Sequence, residues 1–224
     1  MEITTDLIEK AREFAEKTHT GQMYGDKPYI NHLEECFGLF TDIVSENQSV
    51  IMRELNVKIG AAIFLHDTME DQGVHFAILE DRFGKDVAEA VWCVTKEKPY
   101  NPDEYFKKIS QNPIAVIVKL CDRICNIMNC FDANSNVIPN HTHKLEKYTN
   151  EMMFLISMID QNDIKDLPDK NYLNSIYYEL NDAYLSCCFV MAIYKKIKDS
   201  VQLKKDIQES NNKLIKILQH NGIK

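Results

Sequence analysis

The chain has 224 residues, 45% of them hydrophobic, and a formal net charge of −8. This length and composition allow one large core, or one core with a small appendage. The negative balance argues against a general nucleic-acid surface. Seven cysteines, an odd number with Cys187 beside Cys188 and no C-x-x-C pair, do not suit a disulfide framework. The polar N-terminus, Met1-Glu2-Ile3-Thr4-Thr5-Asp6, carries no basic-then-apolar signal, and the most apolar stretch, Ile114 to Cys121, is too short to span a bilayer. The expectation is a soluble cytoplasmic protein with reduced thiols and no membrane contact.

A capping-box pattern, Asp6 with Glu9, opens the first predicted helix, with Leu7, Ala11, Phe14 and Ala15 on its buried face. His19 and Thr20-Gly21 end it, and a turn-rich loop, Gln22 to Lys27, follows. Pro28 suits the first turn of a second helix, which places His32 near the start of an apolar face formed by Cys36, Leu39, Phe40 and Ile43. A short helix is predicted over Val50 to Leu55, then a central helix running through His66-Asp67 as far as Asp71, and a break at Gln72-Gly73. Val74 to Phe83 reads as a helix ending at Gly84, and Asp86 to Thr95 as another, with Val87, Val91, Val94 and Trp92 facing inward. Pro99-Tyr100-Asn101-Pro102 reads as a loop.

Two stretches carry chemistry. In the first, Ala61 to Asp71, an apolar run climbs without a break into His66, Asp67, Glu70 and Asp71. Ile59, Ala62, Ile63, His66 and Glu70 share one helical face, so the same face that buries isoleucine carries His66, Asp67 and Glu70 toward the core. Buried charge costs several kcal/mol or more unless paired or bound to a metal. In the second, Pro113 to Asn129, apolar residues run nearly all round a helix, yet Lys119, Asp122, Asn126 and Asn129 step by three, four and three. Each unpaired polar group there would cost about 1–3 kcal/mol. One reading is a buried salt bridge from Lys119 or Arg123 to Asp122. The other is a site wall, with Asp122 as ligand and Asn126 as donor. His141 and His143 lie two residues apart and point to different helix faces, so they are not a metal pair. Lys144 to Ile159 is helical, Asp166-Leu167-Pro168-Asp169 is a boundary, and helices follow through Leu173 to Cys188 and Leu203 to Leu218. With no convincing strand, the fold class is all-α: one domain over 1–165 and a C-terminal helical extension over 166–224 packed on it.

His32, His66, Asp67 and Asp122 together supply two imidazoles and two carboxylates, a mixed set that manganese or another divalent ion accepts. A metal lowers the pKa of bound water toward neutrality, and Glu70 and Asp71 stand one turn on to orient water and move protons. The order H…HD…D resembles the HD phosphohydrolase superfamily. Gly21-Gln22, Pro28-Tyr29-Ile30-Asn31-His32, His66 to Asp71, Phe83-Gly84, Val94-Thr95-Lys96 and Val118 to Asn126 are similar to the hydrolase domain of the RelA/SpoT family, above all its small alarmone hydrolases. The resemblance covers roughly residues 6 to 160 and implies the HD helical fold. It implies a manganese-dependent, stringent-response enzyme removing the 3′-pyrophosphate of (p)ppGpp to give GDP or GTP and pyrophosphate. It further implies His32, His66, Asp67 and Asp122 as metal ligands, Glu70 and Asp71 as the catalytic pair, and Asn126, Lys96, Lys119 and Tyr148 near the nucleotide. No synthetase domain is expected in 166–224.

One departure stands out. The family's adjacent Arg-Lys pair before the proline is missing; the loop reads Met23-Tyr24-Gly25-Asp26-Lys27 and keeps only Lys27. Tyr24 suits stacking on a base instead, which keeps (p)ppApp or another phosphorylated nucleoside open as substrate. A non-enzymatic nucleotide sensor or scaffold is the third reading, disfavoured because every ligand and both Glu70 and Asp71 are present. The partner is a small-molecule nucleotide, and a homo-oligomer remains open.

Overall fold

The computed structural model describes residues 2–44, 50–132, 137–161 and 176, all within the first of the chain's two compact units, Met1–Tyr184. The expected boundary at Asp166 to Asp169 and the C-terminal helices fall outside these residues, apart from Ile176. The described part is all-α, as expected, with one two-stranded hairpin.

Helix α1 (Glu2–Thr18) begins four residues before Asp6, whose carboxylate pairs with Lys10 along the helix rather than capping it. Ala11 and Ala15 are buried against α3 (Val50–Leu65). Next come strands β1 (Met23–Tyr24) and β2 (Lys27–Pro28), antiparallel, in the stretch expected to be a loop. Pro28 therefore ends a strand, and α2 starts at Ile30 (Ile30–Val44), burying His32, Leu33, Cys36 and Phe40.

The expected short helix and central helix are one: α3 runs unbroken from Val50 to Leu65 and stops before His66. His66 and Asp67 form the turn into α4 (Thr68–Gln72), which ends at Gly73 in the left-handed region, φ 67°. The change of direction corrects the shared-face expectation: Ile59, Ala62, Ile63 and His66 are buried, while Glu70 is exposed.

Helices α5 (Phe76–Phe83) and α6 (Lys85–Val94) meet at Gly84. Trp92, expected inside, is 39% exposed; its indole donates to Glu97 at 2.9 Å and Lys108 lies 4.2 Å over its ring. Helix α7 (Pro102–Ser110) follows, its start fixed by the Asn101 side chain accepting from Asp103 N and by proline at the first helical position. Helix α8 (Pro113–Met128) is buried from Ile114 through Ile127 and packs against α2, α3, α6, α7 and α9 (Thr142–Gln161). It is the hub, and its polar stripe lies where these helices converge. Among the described residues, no helix is long and apolar enough to cross a membrane.

Candidate metal centre and nucleotide cleft

Three elements bring the donors together: α2 supplies His32, the α3–α4 turn His66 and Asp67, and α8 Asp122. One donor atom each from His32, His66 and Asp122 lies within 4.8 Å of the others, and all three residues are buried. Asp122 Oδ1 is 3.4 Å from His32 Nε2 and 3.9 Å from His66 Nε2. Asp67 Oδ2 is 3.1 Å from His66 Nε2, and Tyr29 donates its hydroxyl to that same oxygen.

The residues fit a divalent cation. His66 Nδ1 lies 2.7 Å from the carbonyl of Ile63, which marks it as the donor and turns Nε2 inward. That Nε2 is buried and makes no aligned hydrogen bond. A backbone carbonyl holding one imidazole nitrogen while the other faces carboxylates is the arrangement of a ligating histidine. Without a metal, burial opposes the His66 imidazolium, but the charges of Asp67 and Asp122 win and push its pKa up to about 9. Desolvation works against the charged form of Asp122 too, yet Lys119 and Arg123 hold it well below the usual carboxylate range.

Both readings of the α8 stripe hold at once. Lys119 Nζ donates to Asp122 Oδ2 at 2.8 Å, with Arg123 Nη1 at 3.3 Å, so the buried salt bridge is real. It occupies one carboxylate oxygen and aims the other, Oδ1, at the histidines. Asn126 Nδ2 donates to Oδ1, and its own carbonyl accepts the Tyr24 hydroxyl at 2.6 Å. The Tyr24 ring lies nearly parallel to His32, at 19° with centroids 4.6 Å apart.

A cleft of about 490 Å³ opens over His32. Of the expected nucleotide contacts, Tyr24, Lys27, Asn126 and Tyr148 line it; Lys96 and Lys119 do not. Lys119 is buried on Asp122. Lys96 instead binds Glu70: its backbone N–H donates to Oε2 at 2.9 Å and its Nζ lies 3.5 Å from Oε1. Asp71 accepts from Gln22 Nε2 at 2.7 Å. Lys27 sits 3.6 Å from Glu35, so the one cation left in the hairpin is partnered.

Sequence reasoning missed Lys144 and His141, both in the cleft wall. The spacing of Lys144 and Tyr148, one turn apart on α9, was the available signal. His141 joins the cleft while His143 is exposed, in keeping with their assignment to different faces. Arg123 was noted only as a neighbour of Asp122; it also lies 2.7 Å from Glu151 and 5.0 Å over the Tyr148 ring, tying α8 to the cleft wall on α9.

No protein-family model matches the chain. The guanosine-3′,5′-bis(diphosphate) 3′-pyrophosphohydrolase of Aquifex aeolicus is 30% identical over 129 residues, 54% of this chain and 17% of that protein. The chain thus spans less than a fifth of such longer relatives. A solved structure of a metazoan SpoT orthologue, described as hydrolysing ppGpp, has a TM-score of 0.54 at 18% identity, covering 77% of this chain and 94% of that one, and shows the shared fold. The Danio rerio protein MESH1, also named a guanosine-3′,5′-bis(diphosphate) 3′-pyrophosphohydrolase, is 30% identical over 132 residues, 55% of this chain and 69% of its own length. With more than two thirds of this relative's length matched at 30% identity, this chain belongs to the guanosine-3′,5′-bis(diphosphate) 3′-pyrophosphohydrolase family.

Proposed function

We propose that the protein hydrolyses the 3′-pyrophosphate of a ppGpp-type nucleotide, with Mn²⁺ held by His32, His66, Asp67 and Asp122, releasing pyrophosphate and GDP or GTP. The observation that carries this reading is the buried donor group of His32, His66 and Asp122, with His66 Nε2 turned toward carboxylates and His32 lining a nucleotide-sized cleft. When bound, the metal supplies Lewis-acid activation of water and of the phosphoryl group.

The chain's own residues do the rest. Glu70 and Asp71 orient the attacking water and take its proton. The water oxygen bonds to the phosphorus nearest the ribose as the bond to the 3′ oxygen breaks, and that oxygen leaves protonated. Lys96, fixed on Glu70, faces the same region. Asn126 and Tyr148 border the nucleoside, and Tyr24 offers its ring to the base.

A second reading concerns the base. The hairpin carries Tyr24 and a Glu35-paired Lys27 where the sequence resemblance implies two adjacent cations. Charge-assisted contacts are the strong ones for phosphate, so weaker selection at the 5′ phosphates follows, and (p)ppApp becomes a substrate on the same metal site. The test is incubation with Mn²⁺ and, separately, ppGpp, ppApp, GTP, ATP and a 3′-phosphorylated nucleoside, resolving products by anion exchange. Pyrophosphate and GDP from ppGpp are expected. Activity confined to ppApp would move the specificity to the Tyr24 hairpin. Silence across the panel from protein shown to hold its metal would sink the enzyme reading in favour of a sensor.

A further inference from the structure

The hairpin β1–β2 closes at its root, where Tyr29 N donates to the carbonyl of Gln22 at 3.0 Å. Both root residues reach into the centre. The Gln22 side chain donates to Asp71 Oδ2 at 2.7 Å, and Tyr29 donates its hydroxyl to Asp67 Oδ2. Between them lies His19, buried at 3% exposure. Its ring stacks on Tyr29 with centroids 4.7 Å apart, and its Nδ1 lies 2.7 Å from Gln22 Oε1. Asp71 N donates to the carbonyl of Asp67 at 2.9 Å and closes the circuit.

Geometry constrains the hydrogen-bond roles in this circuit. Gln22 presents its NH₂ to the Asp71 carboxylate, because the amide oxygen there would meet another acceptor. Gln22 Oε1 then points at His19 Nδ1 and accepts from Gln72 Nε2, which also lies 3.4 Å from Nδ1. His19 Nε2 is buried with no hydrogen-bond partner among the described residues. A histidine buried at that cost serves to hold the amide of Gln22 one way round.

From this circuit we infer that Gln22 and Tyr29 are positioning residues: Gln22 fixes the carboxylate of Asp71, Tyr29 fixes that of Asp67, and His19 locks the two together. The inference rests on the proposed role of Asp71 in proton transfer. One Asp71 oxygen is tied to Gln22, and the other carries that role. Since the root belongs to the hairpin bearing Tyr24 and Lys27, the cleft wall and the reacting groups share one brace.

The test uses the full chain and the variants Gln22→Leu, Gln22→Glu and Tyr29→Phe. It measures kcat and KM for ppGpp, Mn²⁺ affinity by electron paramagnetic resonance, and Tm. Removing a partner of this kind costs ~10–100-fold. That loss should fall on kcat, with KM and Mn²⁺ affinity unchanged, for Gln22→Leu, and on Mn²⁺ affinity for Tyr29→Phe. Gln22→Glu keeps the size and the acceptor for His19 but cannot donate to Asp71; it should lose kcat like the leucine variant, and it serves if that variant does not fold. Wild-type kcat in either Gln22 variant, or wild-type Mn²⁺ affinity in Tyr29→Phe, would overturn the inference. If the parent binds Mn²⁺ but turns over no nucleotide, the hydrolase reading fails separately. A crystal structure of Gln22→Leu then decides: an Asp71 carboxylate swung away supports the brace, and one left in place refutes it.

Discussion

The floor of the cleft and its hairpin wall obey different rules. At the floor, His32 lines the cleft and His66 and Asp122 are buried behind it, held by the Ile63 carbonyl and by Lys119. Changing one leaves an uncompensated buried charge, which costs about 3–5 kcal/mol. On the wall, Tyr24 and Lys27 sit on a two-residue-strand hairpin, Lys27 exposed and Tyr24 half-buried over His32. The floor carries the donor set that the sequence resemblance implies, whereas the hairpin lacks the Arg-Lys pair that it implies. The comparison teaches that the chemistry is held by burial, while recognition of the nucleotide is free to drift.

The largest effect should come from the floor. His66→Ala removes the imidazole that the α3–α4 turn exists to present. Mn²⁺ binding should be lost, and with it several kcal/mol of transition-state stabilisation, about a thousandfold or more in turnover. Calorimetric titration with Mn²⁺ and the ppGpp assay check this together. Full activity without bound metal would break the comparison at its base. Next comes the pair above the floor. Glu70→Gln with Asp71→Asn should keep Mn²⁺ affinity yet lose ~10²–10⁴-fold in kcat, the span of general acid–base catalysis. A double variant as active as the parent would remove both residues from the reaction.

A smaller effect is set by pH. His66 in the metal-free protein has its pKa pushed up to about 9, Asp67 and Asp122 outweighing burial. A metal at Nε2 must displace that proton, so apparent Mn²⁺ affinity should rise about tenfold per pH unit from pH 6 and level off near 9. The stability of the metal-free protein runs the other way. The folded pKa lies above the ordinary imidazole value of 6.5, so the stabilisation from the charged imidazole is complete below that value and lost as pH rises through about 9. Mn²⁺ titrations and urea melts across this window check the two signs. A flat affinity profile would mean that His66 is already neutral.

These floor residues were legible in the sequence for the reason that makes them sensitive. A polar stripe on the apolar α8, and His66 at the end of an apolar run, stand out because burial demands a partner. What was misread depends on contacts that leave no period. Nothing in the apolar run from Ile59 to Leu65 marks the turn at His66-Asp67, which comes from packing the α3 end beside α8. Two-residue strands are too short for alternation to show. The start of α7 was visible as Asn101-Pro102, a cap followed by a first-turn proline, but was read as breakers alone. Trp92 reads as core beside Val91 and Val94, but its ring stays at the surface under Lys108, a contact across α6 and α7 that leaves no trace in the sequence. His141 and Lys144 belong to the cleft only because α9 folds back beside the hairpin.

The smallest effect, and the sharpest test of the wall, lies at Tyr24. Without substrate, its ring covers His32 and its hydroxyl occupies Asn126. A nucleotide must therefore displace the side chain or stack on it. Tyr24→Leu removes both the obstruction and the stacking surface, two terms of opposite sign. Base–aromatic stacking is worth about 1–3 kcal/mol, and the hydrogen bond to Asn126 about 0.5–1.5 kcal/mol, so the terms largely offset. KM should move by no more than about tenfold, since a 1.4 kcal/mol remainder is one decade. The value of kcat should hold, because Tyr24 has no contact with Glu70 or Asp71 in the structure. Tyr24→Phe separates the terms: it keeps the ring and frees Asn126, so KM should fall. The informative quantity is the ratio of kcat/KM for ppGpp to that for ppApp. If the hairpin sets base preference, Tyr24→Leu shifts that ratio while His66→Ala abolishes both activities. An unmoved ratio would place the choice of base on the opposite wall, with Tyr148, Lys144 and His141.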